Sequence, residues 1–248
     1  MPDKPIKKYP AANPLQNYLL DALPEIDRCA LIERLELVDL PLGKVVYESG
    51  DDEFFAYFPT NSIISMLYVM ENGASAEISV VGNDGFVGVP VLMGGISTPS
   101  RAIVQSAGFA YRIKASTLLN EFEIHGPLTL LLLRYTQSLF TQMSQTAVCN
   151  RHHSIEQQLC RWLLMSLDRV GSNSLTMTHE LIANMLGVRR EGVTEAAGKL
   201  QKLGVIEYTR GHITVLDRPV LERLCCECYA VVKRESLRLQ PYLTKVMN

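Results

Sequence analysis

The spacing of apolar residues along this chain changes near residue 115, from a period close to two to one between three and four, and few folds accommodate both halves. Between Glu36 and Ile113 the apolar residues fall in short runs, over 37–40, 45–48, 54–58, 62–70, 75–81, 86–89, 101–106 and 109–113. Pro41-Leu42-Gly43, Ser49-Gly50-Asp51, Asn72-Gly73 and Gly82-Asn83-Asp84-Gly85 stand between them, residue types that reverse a chain. Many short strands punctuated in this way make an antiparallel barrel or jelly roll. Two short helical patterns, over 15–23 and 25–35, precede the strands.

Beyond residue 115 the pattern is helical, first over 116–122 and then over about 127–152. In the longer segment Leu128, Leu132, Tyr135, Leu139, Met143 and Thr146 recur at spacings of four and three, the pattern of a helix that pairs with another. A homodimer is the expectation, with packing of the helix on its own barrel as the other reading. Ser154, with Gln157 three residues later, forms a capping box that opens a further helix through Ile155, Leu159, Trp162, Leu163 and Leu167. The intervening break, 151–154, is the expected hinge.

The stretch from Thr178 to Leu200 reads as two short helices separated at Gly187. Thr178 can cap the first, which buries Leu181, Ile182, Met185 and Leu186. The second turns Val193, Ala196, Ala197 and Leu200 inward and leaves Arg190, Glu191, Thr194, Glu195 and Lys199 on the other side. Gly204 ends it, and the alternating runs 205–208 and 212–215, joined at Arg210-Gly211, predict a β-hairpin wing. An arginine at the start of a helix in the major groove can make two hydrogen bonds to guanine, and a neighbouring Glu can accept from a cytosine amino group. The residues expected to meet DNA are Thr178, Arg189, Arg190, Glu191, Thr194, Glu195, Lys199 and Arg210.

Charge follows the same division. Residues 1–150 carry 10 Lys and Arg against 16 Asp and Glu, whereas residues 151–248 carry 14 against 10, so the basic excess accompanies the helix pair. No apolar run is long enough to span a bilayer and the N-terminus lacks a signal-peptide core, which predicts a cytoplasmic protein. The six cysteines show neither a disulfide framework nor paired metal-ligand spacings, so no metal and no cofactor is expected. Cys225-Cys226-x-Cys228 is read as core packing on a helix beginning after Asp217, with a thiol-responsive sensor as the alternative. No His lies between Glu36 and Ile113, which argues against a metal-dependent jelly-roll enzyme, and no phosphate loop, nucleophile elbow or dinucleotide fingerprint is present.

In the order and spacing of these elements the chain resembles the Crp/Fnr transcription regulators over roughly residues 15–228, with Gly187-Val188-Arg189-Arg190-Glu191-Gly192-Val193 as the best local match. The resemblance implies an α+β fold in three parts. These are an antiparallel jelly roll of the cyclic-nucleotide-binding-like type over 15–126, a long dimerisation helix and hinge over 127–153, and a winged helix-turn-helix over 154–235. It implies a homodimer on an inverted-repeat operator, with Arg190 and Glu191 on bases at its edge and RNA polymerase as a further partner. Two departures bear on the operator: Arg189 stands where relatives often have Ser, and Glu195 where a basic residue is common. The effector pocket maps to Phe86, Gly88, Val89, Ser100 and Arg101. Val89 replaces the Glu that would hold a ribose, and Ser100-Arg101 stand in reversed order, which argues against cyclic AMP and leaves the signal unidentified, with another small molecule in the barrel as one open alternative. A coiled-coil interaction protein that does not bind DNA is the competing class.

Overall fold

The computed structural model describes residues 13–209 and 211–240. A single 3-10 turn, Pro14–Gln16, leads into α1 (Tyr18–Asp21) and α2 (Glu25–Ile32). Seven strands follow: β1 (Glu36–Leu40), β2 (Val45–Tyr47), β3 (Phe55–Pro59), β4 (Ile63–Val69), β5 (Ser75–Val81), β6 (Arg101–Ser106) and β7 (Gly108–Lys114), with the single helical turn α3 (Val89–Leu92) between β5 and β6. They form two antiparallel sheets, ordered β1-β7-β3 and β2-β6-β4-β5. Phe58, Phe86, Ile64, Val104 and Ile113 fill one core, joined by Leu19 and Leu20 of α1. The jelly roll anticipated from the alternating runs is thus present, and seven of the eight runs lie on its strands. The exception is 86–89: Val87 makes one bridge to Tyr57, and Gly88, at φ +130°, swings the chain into α3. A side chain at Gly88 would also meet the Ala56 Cβ at 2.8 Å.

α4 (Ala115–Glu123) then leads to α5 (Pro127–His152), whose 26 residues start with a proline at the first helical position. The apolar stripe read as a dimer seam faces the helix's own chain. Leu128, Leu132, Tyr135 and Leu139 belong to the jelly-roll core, Met143 packs against it, and Tyr135 lies on the Phe86 ring with centroids 5.2 Å apart. Thr146 accepts a hydrogen bond from the buried Arg161 at 3.1 Å. The other reading, packing of the helix on its own barrel, is the one this stripe follows. Leu130, Leu133, Phe140 and Val148 are exposed, and with Gln137 and Ser144 they repeat at spacings of three and four.

After the break at His153, α6 (Ile155–Val170) opens on the anticipated capping box, with Ser154 and Gln157 satisfying each other's backbone amides. The remaining elements are β8 (Ser174–Thr176), α7 (His179–Leu186), α8 (Arg190–Lys202), β9 (Ile206–Thr209), β10 (His212–Val215), α9 (Arg218–Leu224) and α10 (Glu227–Leu239). β8, which the sequence did not suggest, pairs with β10 to give a three-stranded sheet ordered β8-β10-β9. The cysteine triplet does not ride on a single helix: Cys225 ends α9, Cys226 caps α10 and Cys228 lies in the first turn of α10. Among the described residues, no helix is long and apolar enough to cross a membrane.

The helical half also rests on the jelly roll. Ile63, Leu67 and Val80 pack with Leu163, Leu167, Met185 and Leu186. Arg169 of α6 pairs with Asp84 at 2.7 Å, and Ser75 at the start of β5 donates to the Asn184 carbonyl of α7 at 3.4 Å.

Candidate nucleic-acid interface

Two short helices make the candidate site because their ends are set by side chains. The Thr178 hydroxyl accepts from the Leu181 amide at 3.2 Å, so α7 begins at His179. Gly187, at φ +67°, ends it in the left-handed conformation and brings the turn against Ala76 of β5. Arg189 then caps α8 with extended backbone but without a side-chain hydrogen bond to the first turn. Ile182, Ala183, Met185 and Leu186 of α7 meet Val193, Ala196, Ala197 and Leu200 of α8 in one buried core. Gly192 lets α8 cross α6 closely, since a Cβ there would fall 2.6 Å from Ile155 Cδ1.

With that face buried, Arg189, Arg190, Glu191, Thr194, Glu195 and Lys199 are left on the outside, all exposed or partly so. Arg190, Glu191, Thr194 and Glu195 line one shallow depression along the helix. Their partners divide them. The Thr194 hydroxyl donates to the Arg190 carbonyl at 3.0 Å and meets His179 Nδ1 at 3.0 Å, while the His179 ring stacks on Tyr208 with centroids 4.0 Å apart. Burial, and then the charge of Arg190, hold the His179 pKa below the usual histidine range, so at neutral pH it is an uncharged strut between α7, α8 and the wing. Sequence reasoning passed over His179 because its ring partners come from separate elements. Lys199 is paired with Glu195 at 3.1 Å and lies 3.9 Å from Glu156, which compensates the basic residue that follows the arginines along the helix. Arg210, expected to meet DNA, lies outside the described residues.

The residues assigned to an effector pocket differ in their surroundings. Phe86 is fully buried, stacked on Phe58 with centroids 5.7 Å apart. Val89 opens α3, and the Ser100 hydroxyl lies 3.1 Å from that of Thr98. Arg101 forms an ion pair with Glu48 at 3.1 Å, just beyond the neighbouring strand β2. The buried Glu53 carboxyl has its pKa pushed up to about 7 by loss of water. A larger cleft lies elsewhere, between the jelly roll and the helical half, where Asp84, Asp168, Arg169, Arg218 and Tyr229 line it.

One cluster escaped sequence reading. The fold brings Cys149 and His153, at the end of α5, against Cys226 and Cys228, at the start of α10. The expectation of no metal rested on spacing along the chain. The four-residue step from Cys149 to His153, which puts both on one helical face, was the signal available.

Residues 157–224 match the Crp-like helix-turn-helix domain family. No curated protein matches the chain significantly. Among solved structures, one from Eubacterium rectale, assigned to the Crp/Fnr transcriptional regulators, is similar with a TM-score of 0.66 at 19% identity, over 85% of this chain and 98% of that one. FixK2 from Bradyrhizobium japonicum gives 0.65 at 15% identity, over 77% of this chain and 98% of that one. A CRP-family transcriptional regulator from Thermus thermophilus gives 0.64 at 16% identity, over 75% of this chain and 95% of that one. The chain therefore carries a Crp-like helix-turn-helix domain within the overall fold of the Crp/Fnr regulators.

Proposed function

We propose that this chain is a sequence-specific DNA-binding transcription regulator that works in the cytoplasm as a homodimer on an inverted-repeat operator. The observation that carries this reading is the open end of α8. Arg189, Arg190 and Glu191 stand exposed there on a helix pair fixed by its own core, within residues that match a Crp-like helix-turn-helix. Arg190 and Glu191 read base edges, and Arg189 serves the phosphates. Thr178 and Thr194 border the contact, while Glu195 and Lys199, paired with each other, contribute less charge to it.

The outward stripe of α5 supports the dimer, because Leu130, Leu133, Phe140 and Val148 are exposed apolar residues on one face of the helix, where a second such helix would cover them. A two-fold axis along α5 sets the two copies of α8 about one DNA turn apart, roughly 34 Å. The signal is a small molecule other than cyclic AMP: Val89 offers no carboxylate to a ribose, and Arg101 is already paired with Glu48. RNA polymerase is the partner through which a bound dimer acts on a promoter.

Selection of duplexes bound by the purified protein, with and without cell extract, tests this reading. A palindromic motif is expected, with affinity falling steeply as salt rises. Failure to bind duplex DNA at any salt concentration would leave the competing coiled-coil interaction protein standing.

A further inference from the structure

Four side chains that the DNA-binding reading does not use meet at the hinge. Cys149 Sγ, His153 Nδ1 or Nε2, Cys226 Sγ and Cys228 Sγ all lie within 4.8 Å of one another. Cys149 and Cys226 have their sulfurs 3.6 Å apart, and Cys228 Sγ lies 3.6 Å from His153 Nδ1. A tetrahedral zinc ion with Zn–S bonds of about 2.3 Å requires sulfurs about 3.8 Å apart. A disulfide would instead need about 2.05 Å. The three cysteines are buried as a cluster of their own, apart from both hydrophobic cores.

The surroundings match a metal site beyond its ligands. With Nδ1 turned toward Cys228, His153 Nε2 lies 3.4 Å from the Glu227 carboxylate, the outer partner that commonly fixes the ring of a metal-bound histidine. The His153 carbonyl accepts from the Gln158 side-chain amide at 2.9 Å, which steadies the backbone at the hinge. Cys226 is the capping residue of α10, where unpaired helix amides favour negative charge on its sulfur. Two ligands come from the end of one helix and two from the start of another, 73 or more residues further on, so an ion there would tie α10 to α5. Three thiolates and one imidazole, with no place left for water, are the donors of a closed structural zinc site.

We propose that Cys149, His153, Cys226 and Cys228 bind one Zn(II) ion per chain in a closed tetrahedral site that clamps the end of the long helix to the start of α10. Binding releases the thiol protons to solvent and involves no change of oxidation state. Cys225 borders the site without belonging to it.

The test uses the full chain, stripped of metal under reductant and titrated with Zn(II) against a chromophoric chelator, then with Co(II). The expected result is one Zn(II) per chain, and for Co(II) the absorption of a tetrahedral ion with thiolate charge transfer. Cys228→Ser and His153→Ala should bind at least tenfold more weakly, and Glu227→Gln about 10–100-fold more weakly. Cys225→Ser and Cys29→Ser should retain the full stoichiometry. Substoichiometric Zn(II) uptake by the fully reduced parent chain overturns the proposal whatever the variants do. So does an octahedral Co(II) spectrum without thiolate bands, loss of metal from Cys225→Ser but not Cys228→Ser, or a Cys149–Cys226 disulfide that persists under reductant.

Discussion

At the scale of single residues, Arg190 and Glu77 do opposite things with charge. Arg190 keeps its charge in solvent at the first helical position of α8, where a base edge can take it up. Arg190→Ala should weaken operator binding by about 1–3 kcal/mol and flatten base preference at the position it reads, measured by gel-shift titration on single-base operator variants. Glu77 is buried in β5, and loss of water raises its pKa from 4.5 to about 7 despite nearby Arg161 and Arg169. Its neighbour Ser65 lies 2.5 Å from the Glu77 carboxyl and 2.6 Å from the Gln105 side-chain oxygen, while the Gln105 amide nitrogen donates to Ser166 of α6 at 2.9 Å. A serine has one proton for two acceptors, so this chain of bonds is complete when Glu77 is protonated. Because the folded pKa is raised, the stabilisation is fully present below about pH 4.5 and lost as pH rises through about 7. Glu77→Gln should therefore gain stability relative to the parent between about pH 5 and pH 8, by on the order of 3 kcal/mol. Chemical denaturation at several pH values reads it, and a constant difference across that range would refute the assignment.

At the scale of elements, α5 shows what a sequence pattern leaves open. Its boundaries were legible, because Pro127 starts it and the Ser154–Gln157 box starts its successor. Its inner face was not, because apolar residues at 128, 132, 135 and 139 and again at 130, 133 and 140 give two stripes about a quarter-turn or more apart. Only the position of the jelly roll decides between them. The two stripes should answer differently to substitution. Phe140→Glu should leave the fold intact and yield monomers in sedimentation velocity, whereas Tyr135→Ala should cost about 3–5 kcal/mol of stability through the cavity beside Phe86. Dimers that survive Phe140→Glu would put the interface elsewhere. The reading helices were legible for a local reason as well: Thr178, Gly187 and Gly204 set their ends within a few residues. β8 was hidden because its three residues become a strand only through pairing with β10, some 38 residues away. The gathering of Cys149 and His153 with Cys226 and Cys228 was hidden for the same reason.

At the scale of the whole molecule, the two halves meet through apolar side chains as well as polar ones. Ile63, Leu67 and Val80 of the jelly roll share a cluster with Leu163, Leu167 and Leu186 of the helical half, and a Cβ at Gly82 would strike the Arg169 side chain at 2.6 Å. Contact this close means that neither half keeps its full complement of neighbours when the other melts. Differential scanning calorimetry of the parent chain should give one endotherm, with equal calorimetric and van't Hoff enthalpies, where independently folding halves would give two. A fragment limited to residues 154–240 should melt at a lower temperature and bind a hydrophobic dye at the surface that Ile63, Leu67 and Val80 cover in the intact chain. The helical half would then owe some of its heat resistance to the jelly roll, and a variant that loosens either would be cleared by proteases as if both had failed.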